Sequence, residues 1–325
     1  MVVRTLPTLA VAATALLLTG CAGAPTAGDG GDGADAGFPI ELTSCGFTSE
    51  IADRPENAIT MNQGATEVAL ALGVEDQLAG TAYLDDEIPE KWRDAYESVP
   101  VVADAYPDSE TVLAERPDLI YASYASAFDA ESAGDREELA DSAIATYVSP
   151  LGCPGDDKPE VSWDSVWGEI DDVAAAFGVP DRAEEIRVDQ QETLDELEAE
   201  GAGEGLRVFW FDSGTDTAFA GAGQGGPQLI LDAIGAENVF GDQDGGWADV
   251  SWEQVVAEDP DVIVLADAGW STAEDKIEFL RNDPALSQLR AVQQERFVTV
   301  PFSASTPGVR LVDGASSVAE QLTAQ

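Results

Sequence analysis

Short apolar runs alternate along the chain with longer stretches in which apolar residues return every three or four positions. The runs at 58–61, 78–82, 119–122 and 144–148 predict strands, and the periodic stretches at 66–72 and 109–115 predict helices between them. The second half repeats the alternation, with strands expected over 206–211, 262–265 and 297–300 and helices over 228–234, 252–257 and 309–322. Strands that alternate with helices imply βα units and a largely parallel sheet. Residues 181–200 hold neither Gly nor Pro, and Ala183, Ile186, Leu194 and Leu197 fall at roughly helical spacing among charges. They predict one long, mostly exposed helix of about 30 Å, at about 1.5 Å per residue. A helix is a stiff connector, so large hinge closure between the regions it joins is not expected.

Two blocks recur in the same order on either side of that helix. Ala71-Leu72-Gly73-Val74 in the first half answers Ala233-Ile234-Gly235-Ala236 in the second. Further on, Ser109 to Ile120 answers Trp252 to Ile263, each block passing through a Pro-Asp pair, Pro117-Asp118 and Pro260-Asp261. In both, Pro-Asp ends a helix and turns the chain into an apolar run. Two blocks in one order make a duplicated α/β lobe the better account.

The first forty residues follow a different pattern. One cation, Arg4, precedes an apolar run from Leu9 to Leu18, which is too short to span a bilayer as a helix (roughly 20 residues) and has the length of a signal-peptide core. It ends in Leu18-Thr19-Gly20-Cys21, which resembles a bacterial lipobox. Residues 1–20 are therefore expected to be a lipoprotein signal peptide and Cys21 the lipidated residue. Residues 21–37 are almost all Gly, Ala, Asp, Pro and Thr, with nothing to bury, and are expected to form a flexible tether. The expected location is extracytoplasmic, lipid-anchored to the outer face of the cytoplasmic membrane.

Composition narrows the function. The formal charge of −48 excludes nucleic acid as a partner and leaves the lipid as the only expected membrane contact. An acidic surface suits a salty or alkaline habitat; it also attracts cationic ligands. The chain has no histidine, which removes Ser-His-Asp and Cys-His catalysis and weighs against carriage of free zinc or manganese. No resident metal or cofactor is expected. With Cys21 lipidated, Cys45 and Cys153 remain as an even pair in an oxidising compartment and are expected to form a disulfide.

In open α/β sheets ligands sit beyond the carboxyl ends of the strands. The residues there are Asn62 and Gln63, Tyr83 with Asp85, and Tyr124 in the first half, and Asp212, Trp247 and Trp270 in the second, with Arg310 before the last helix. The aromatics suit a broad or chelate-like ligand. Arg310 is the best candidate for an anion partner, against a structural salt bridge.

The carrying residues Asn62-Gln63-Gly64-Ala65-Thr66-Glu67, Ala71-Leu72-Gly73 and Arg116-Pro117-Asp118, then Gly246-Trp247, Trp252-Glu253-Gln254-Val255, Asp259-Pro260-Asp261 and Pro307-Gly308-Val309-Arg310, together resemble the solute-binding lipoproteins of ABC importers, in the iron-siderophore and cobalamin class, over the whole mature chain. The resemblance is to the actinobacterial type. It implies a class III periplasmic-binding-protein fold, with two Rossmann-like α/β lobes at 38–180 and 201–325 joined by the single helix 181–200. It also implies a monomer, not an enzyme, whose partners are an ABC permease dimer with its ATPase. By position, Glu110 and Glu253 match the glutamates with which such proteins dock on permease arginines. Trp247 matches a position that contacts ligand in cobalamin-binding relatives. The expected cargo is a ferric siderophore. The alternatives are a deazaflavin-coenzyme precursor, suggested by Tyr83-Leu84-Asp85 and Ala268-Gly269-Trp270, or a cobalamin-like ligand. The remaining competing reading is a secreted acidic hydrolase, which would need paired carboxylates in a cleft.

Overall fold

A computed structural model describes residues 1–2 and 37–325, and the body from Gly37 to Gln325 is one compact unit. Cys21, and all but the ends of the signal and tether segments, lie outside the described residues.

Thirteen strands are described in this body. They are β1 (Ile40–Ser44), β2 (Phe47–Ile51), β3 (Ala58–Met61), β4 (Leu78–Ala82), β5 (Val101–Ala103), β6 (Leu119–Ala122), β7 (Ala145–Val148), β8 (Arg207–Ser213), β9 (Ala218–Gly221), β10 (Glu237–Asn238), β11 (Trp247–Val250), β12 (Val262–Asp267) and β13 (Phe297–Pro301). The first sheet is parallel throughout, in the order β5-β4-β3-β6-β7. Its central strands β3 and β6 are buried at every residue, as a parallel strand covered on both faces must be. The second sheet runs β11-β9-β8-β12-β13, with β10 beside β8. Here β9 and β11 are antiparallel, so this sheet is mixed.

The Pro-Asp pairs show how the duplication works. Arg116 and Asp259 end the helices Ser109–Glu115 and Trp252–Glu258 in the left-handed conformation. The next Asp then faces the start of the neighbouring strand. Asp118 accepts from the backbone N–H groups of Glu56 and Asn57 at 2.7 and 3.2 Å, and Asp261 accepts from that of Arg207 at 3.1 Å. Each carboxylate thus pins β6 or β12 to the head of the sheet's middle strand.

The helix Pro180–Glu200 buries Ala183, Leu194 and Leu197. It packs on Trp163–Ala176 from the first half and Leu311–Thr323 from the second. Gln190 joins both sides: it accepts from the Trp167 indole at 2.9 Å and donates to the Val309 carbonyl at 2.8 Å. One continuous apolar cluster passes from Val68 and Tyr121, through Leu194, to Trp210 and Val264.

The hairpin β1–β2 was not legible as strands. Its two-residue turn, Cys45-Gly46, has φ of 50° and 72°, the geometry that suits right-twisted hairpins. Cys45 is joined to Cys153, with Cα atoms 5.2 Å apart, which fastens the hairpin to the loop after β7.

Candidate functional site

A narrow cleft with about 140 Å³ of interior space opens at the carboxyl ends of both sheets. Gln63, Asp85 and Tyr124 line it from the first half, and Trp247, Ser303 and Pro307 from the second. Gly152 is needed at its wall, because a Cβ there would lie 1.8 Å from the Ser123 carbonyl oxygen. Without a side chain, the turn after β7 can press against the loop that carries Tyr124.

Gln63 is buried and fully used. Its Oε1 accepts from the N–H groups of Asp85 and Asp86, both at 2.9 Å, while its Nε2 donates to Glu67 at 2.8 Å and Asp86 at 2.7 Å. It holds the 85–86 loop against the first helix and presents little free polarity to a ligand. Asn62 is also buried, and its Oδ1 accepts from the Tyr106 hydroxyl at 3.0 Å. Tyr106 in turn meets Tyr83 edge-on at 4.7 Å. Tyr83 is exposed and stands outside the enclosed part of the cleft.

On the second side, aromatics build a continuous wall. Trp247 stacks with Phe219 at 5.8 Å and with Phe302 at 6.3 Å, and Trp270 meets Phe302 edge-on at 5.4 Å. Trp270 is 57% exposed, and of these aromatics only Trp247 is among the described lining residues of the cleft. Phe302 directly follows β13 and packs behind Trp247 rather than lining the cleft.

Arg310 makes the structural salt bridge that was weighed against an anion-binding role. It is buried, and its Nη1 donates to Glu67 at 2.9 Å, to Asp86 at 3.4 Å and to the Ser303 hydroxyl. Two acids of the first half engage Nη1, while Nε has no hydrogen-bond partner and Arg310 is not among the described lining residues of the cleft. Neither Asn62 nor Asp212 is among the described lining residues. Asp212 is buried, accepts from the Ser213 hydroxyl at 3.0 Å and is absent from the cleft lining. Its carboxyl is pushed up by burial, with Ser213 and Lys276 opposing.

The lining residues that were not anticipated include Lys158, Ser303 and Glu169. Glu169 comes from the helix Trp163–Ala176, which the apolar pattern did not disclose, although its capping box of Ser162 and Ser165 is a readable start signal. Burial pushes its carboxyl up to about 7. Burial and the neighbouring Asp86 push Asp85 up to about 6. Burial lowers the amine of Lys158, the one Lys or Arg among the described lining residues.

Glu110 and Glu253 occupy equivalent places. Each is exposed in the first turn of a seven-residue helix, after N-caps Asp108 and Ser251 whose side chains accept from Thr111 and Gln254.

A cleft between two α/β sheets, bridged by one long helix and lined at the strand ends, defines a ligand-binding protein of the two-lobed extracytoplasmic type. The chain belongs to the periplasmic binding protein family, which it matches over residues 59–304. It is 28% identical over 277 residues to a vitamin B12-binding protein of Pectobacterium carotovorum, covering 83% of this chain and 89% of that one. It is 23% identical over 291 residues to an ABC transporter substrate-binding lipoprotein of Bacillus subtilis, covering 88% and 86%. The crystal structure of a periplasmic binding protein from Veillonella parvula superposes with a TM-score of 0.76 at 29% identity, covering 87% of this chain and 96% of that chain. Among the described residues, no helix is long and apolar enough to cross a membrane.

Proposed function

We propose that this protein captures a metal chelate outside the cytoplasmic membrane and delivers it, chemically unchanged, to an ABC importer. The observation that carries this reading is the cleft itself. Aromatic surface from both sheets converges at the strand ends, while the polar groups expected to meet a small anion are engaged inside the protein. With Arg310 held by Glu67 and Asp86, an anionic deazaflavin precursor finds few partners. A neutral or cationic ferric siderophore suits the aromatic walls and the two carboxyls better.

Carriage of cobalamin is a second reading, favoured by the vitamin B12-binding relative and by Trp247 in the aromatic wall. In either case the narrow interior would admit one edge of the cargo and leave the rest in solvent. Cys21 would carry the anchor, residues 21–37 the reach, and Glu110 with Glu253 the alignment on a symmetric permease.

A thermal-shift panel of ferric trihydroxamates, cobalamin and a deazaflavin tests the reading. Stabilisation by a trihydroxamate is expected, and native mass spectrometry of protein purified from its host should retain an iron chelate. Failure of every chelate and of cobalamin to raise the melting temperature would sink it.

A further inference from the structure

Glu169 is 3% exposed and lines the cleft. The buried Tyr121 hydroxyl, reaching over from β6, donates to its Oε1. Its Oε2 has no hydrogen-bond partner, though the Ser149 hydroxyl lies close enough to favour the charged form. Native proteins pair nearly all buried polar atoms, so an orphaned carboxylate oxygen on a residue that lines a cavity calls for an explanation.

The surroundings say what would pair with it. The one charge acting on Glu169 is the like charge of Asp172, which, with burial, disfavours ionisation. Lys158 lines the same cleft but is not among the groups acting on Glu169. Tyr124 and Trp247 line the same space with aromatic surface, and Asp85 adds a second carboxyl. Carboxylates beside aromatic faces favour a cation, and a chain of formal charge −48 draws cations toward it.

We infer that Glu169 is a ligand-recognition residue whose free oxygen takes a protonated amine carried by the cargo. This rests on the chelate reading above and narrows it to chelates that bear an ammonium group. The engaged Gln63 and Arg310 would then shape the cleft, and Glu169 would set its preference.

Calorimetric titration at pH 8, where Glu169 is largely ionised, tests this in two arms. In the first, the probes are a ferric linear trihydroxamate with a terminal ammonium and the same chelate with that amine acetylated. The ammonium form should bind at least tenfold more tightly. Glu169→Gln, which keeps the acceptor for Tyr121, should abolish that preference, the ammonium form losing at least tenfold more affinity than the acetylated one. Equal affinities, or a preference that survives in E169Q, would overturn the inference and leave the chelate cargo standing. In the second arm, n-butylammonium and N-butylacetamide probe the carboxylate without a chelate. Saturable binding of the ammonium, lost in E169Q, supports the assignment even where no chelate binds, and that pair of results defeats the cargo reading alone. An indifferent response to amine and amide in both arms overturns the inference.

Discussion

Arg310 of the second half donates to Glu67 of the first at 2.9 Å, and both residues are buried. Around this bond, Asp86 accepts from the Ser303 backbone N–H at 3.0 Å and from its hydroxyl at 2.7 Å, and from Gln63 at 2.7 Å. The cluster ties the two sides of the cleft together at its base. Removing one partner of a buried ion pair is costlier than never having built it, because the other charge is stranded. Arg310→Met should therefore destabilise the protein by about 3–5 kcal/mol, read by urea denaturation. Adding Glu67→Gln should recover part of the loss. A single-variant cost below about 1 kcal/mol would place the pair with weak surface bridges instead.

The same cluster shows where sequence reading stops. The strands at 58–61, 78–82 and 119–122 were legible because burial on both faces leaves nearly continuous apolar runs. Arg310 was legible as important, but not as occupied: Glu67 and Asp86 lie 243 and 224 residues away, and no local pattern signals that pairing. The antiparallel β9 and β11 escaped because neither follows a βα rhythm and each carries Gly, Asp or small residues in place of a continuous apolar run. Glu169 escaped with its helix, where Trp163, Trp167 and Ala174 blur the apolar stripe.

Glu169 should also make stability depend on pH. Its carboxyl is raised from 4.5 to about 7, mainly by burial. The folded protein therefore binds more protons than the unfolded chain between these values, and stability falls as pH rises through that window. Glu169→Gln removes the penalty. The variant should match the wild type near pH 4.5 and exceed it by roughly 3 kcal/mol above pH 7. Parallel denaturation curves with no pH-dependent gap would contradict the burial argument.

The Cys45–Cys153 bridge spans 108 residues and anchors the β1–β2 hairpin beside the wall that contains Gly152. In the chain-entropy account, a loop of that length stabilises by about 4–5 kcal/mol. Replacing both cysteines by serine should lower the unfolding free energy by a few kcal/mol while the main parallel sheet persists in far-UV circular dichroism. An unchanged denaturation midpoint would show that the bridge constrains little.

Docking can be separated from capture. Glu110 and Glu253 are both exposed at the starts of matching helices, where the helix dipole already favours a carboxylate, so their exposure alone does not assign a role. The distinction lies in what their loss affects. Both lie outside the cleft lining, so charge reversal to Lys should leave chelate affinity within about twofold, or roughly 0.4 kcal/mol. Introducing two cations opposite basic permease pockets should instead turn attraction into repulsion, lowering uptake by at least about tenfold. Uptake by cells producing the double variant, measured beside calorimetry on the purified protein, reads the two effects independently. Normal uptake would remove these residues from the docking surface, whereas a parallel loss of affinity would assign them to the fold or the cleft.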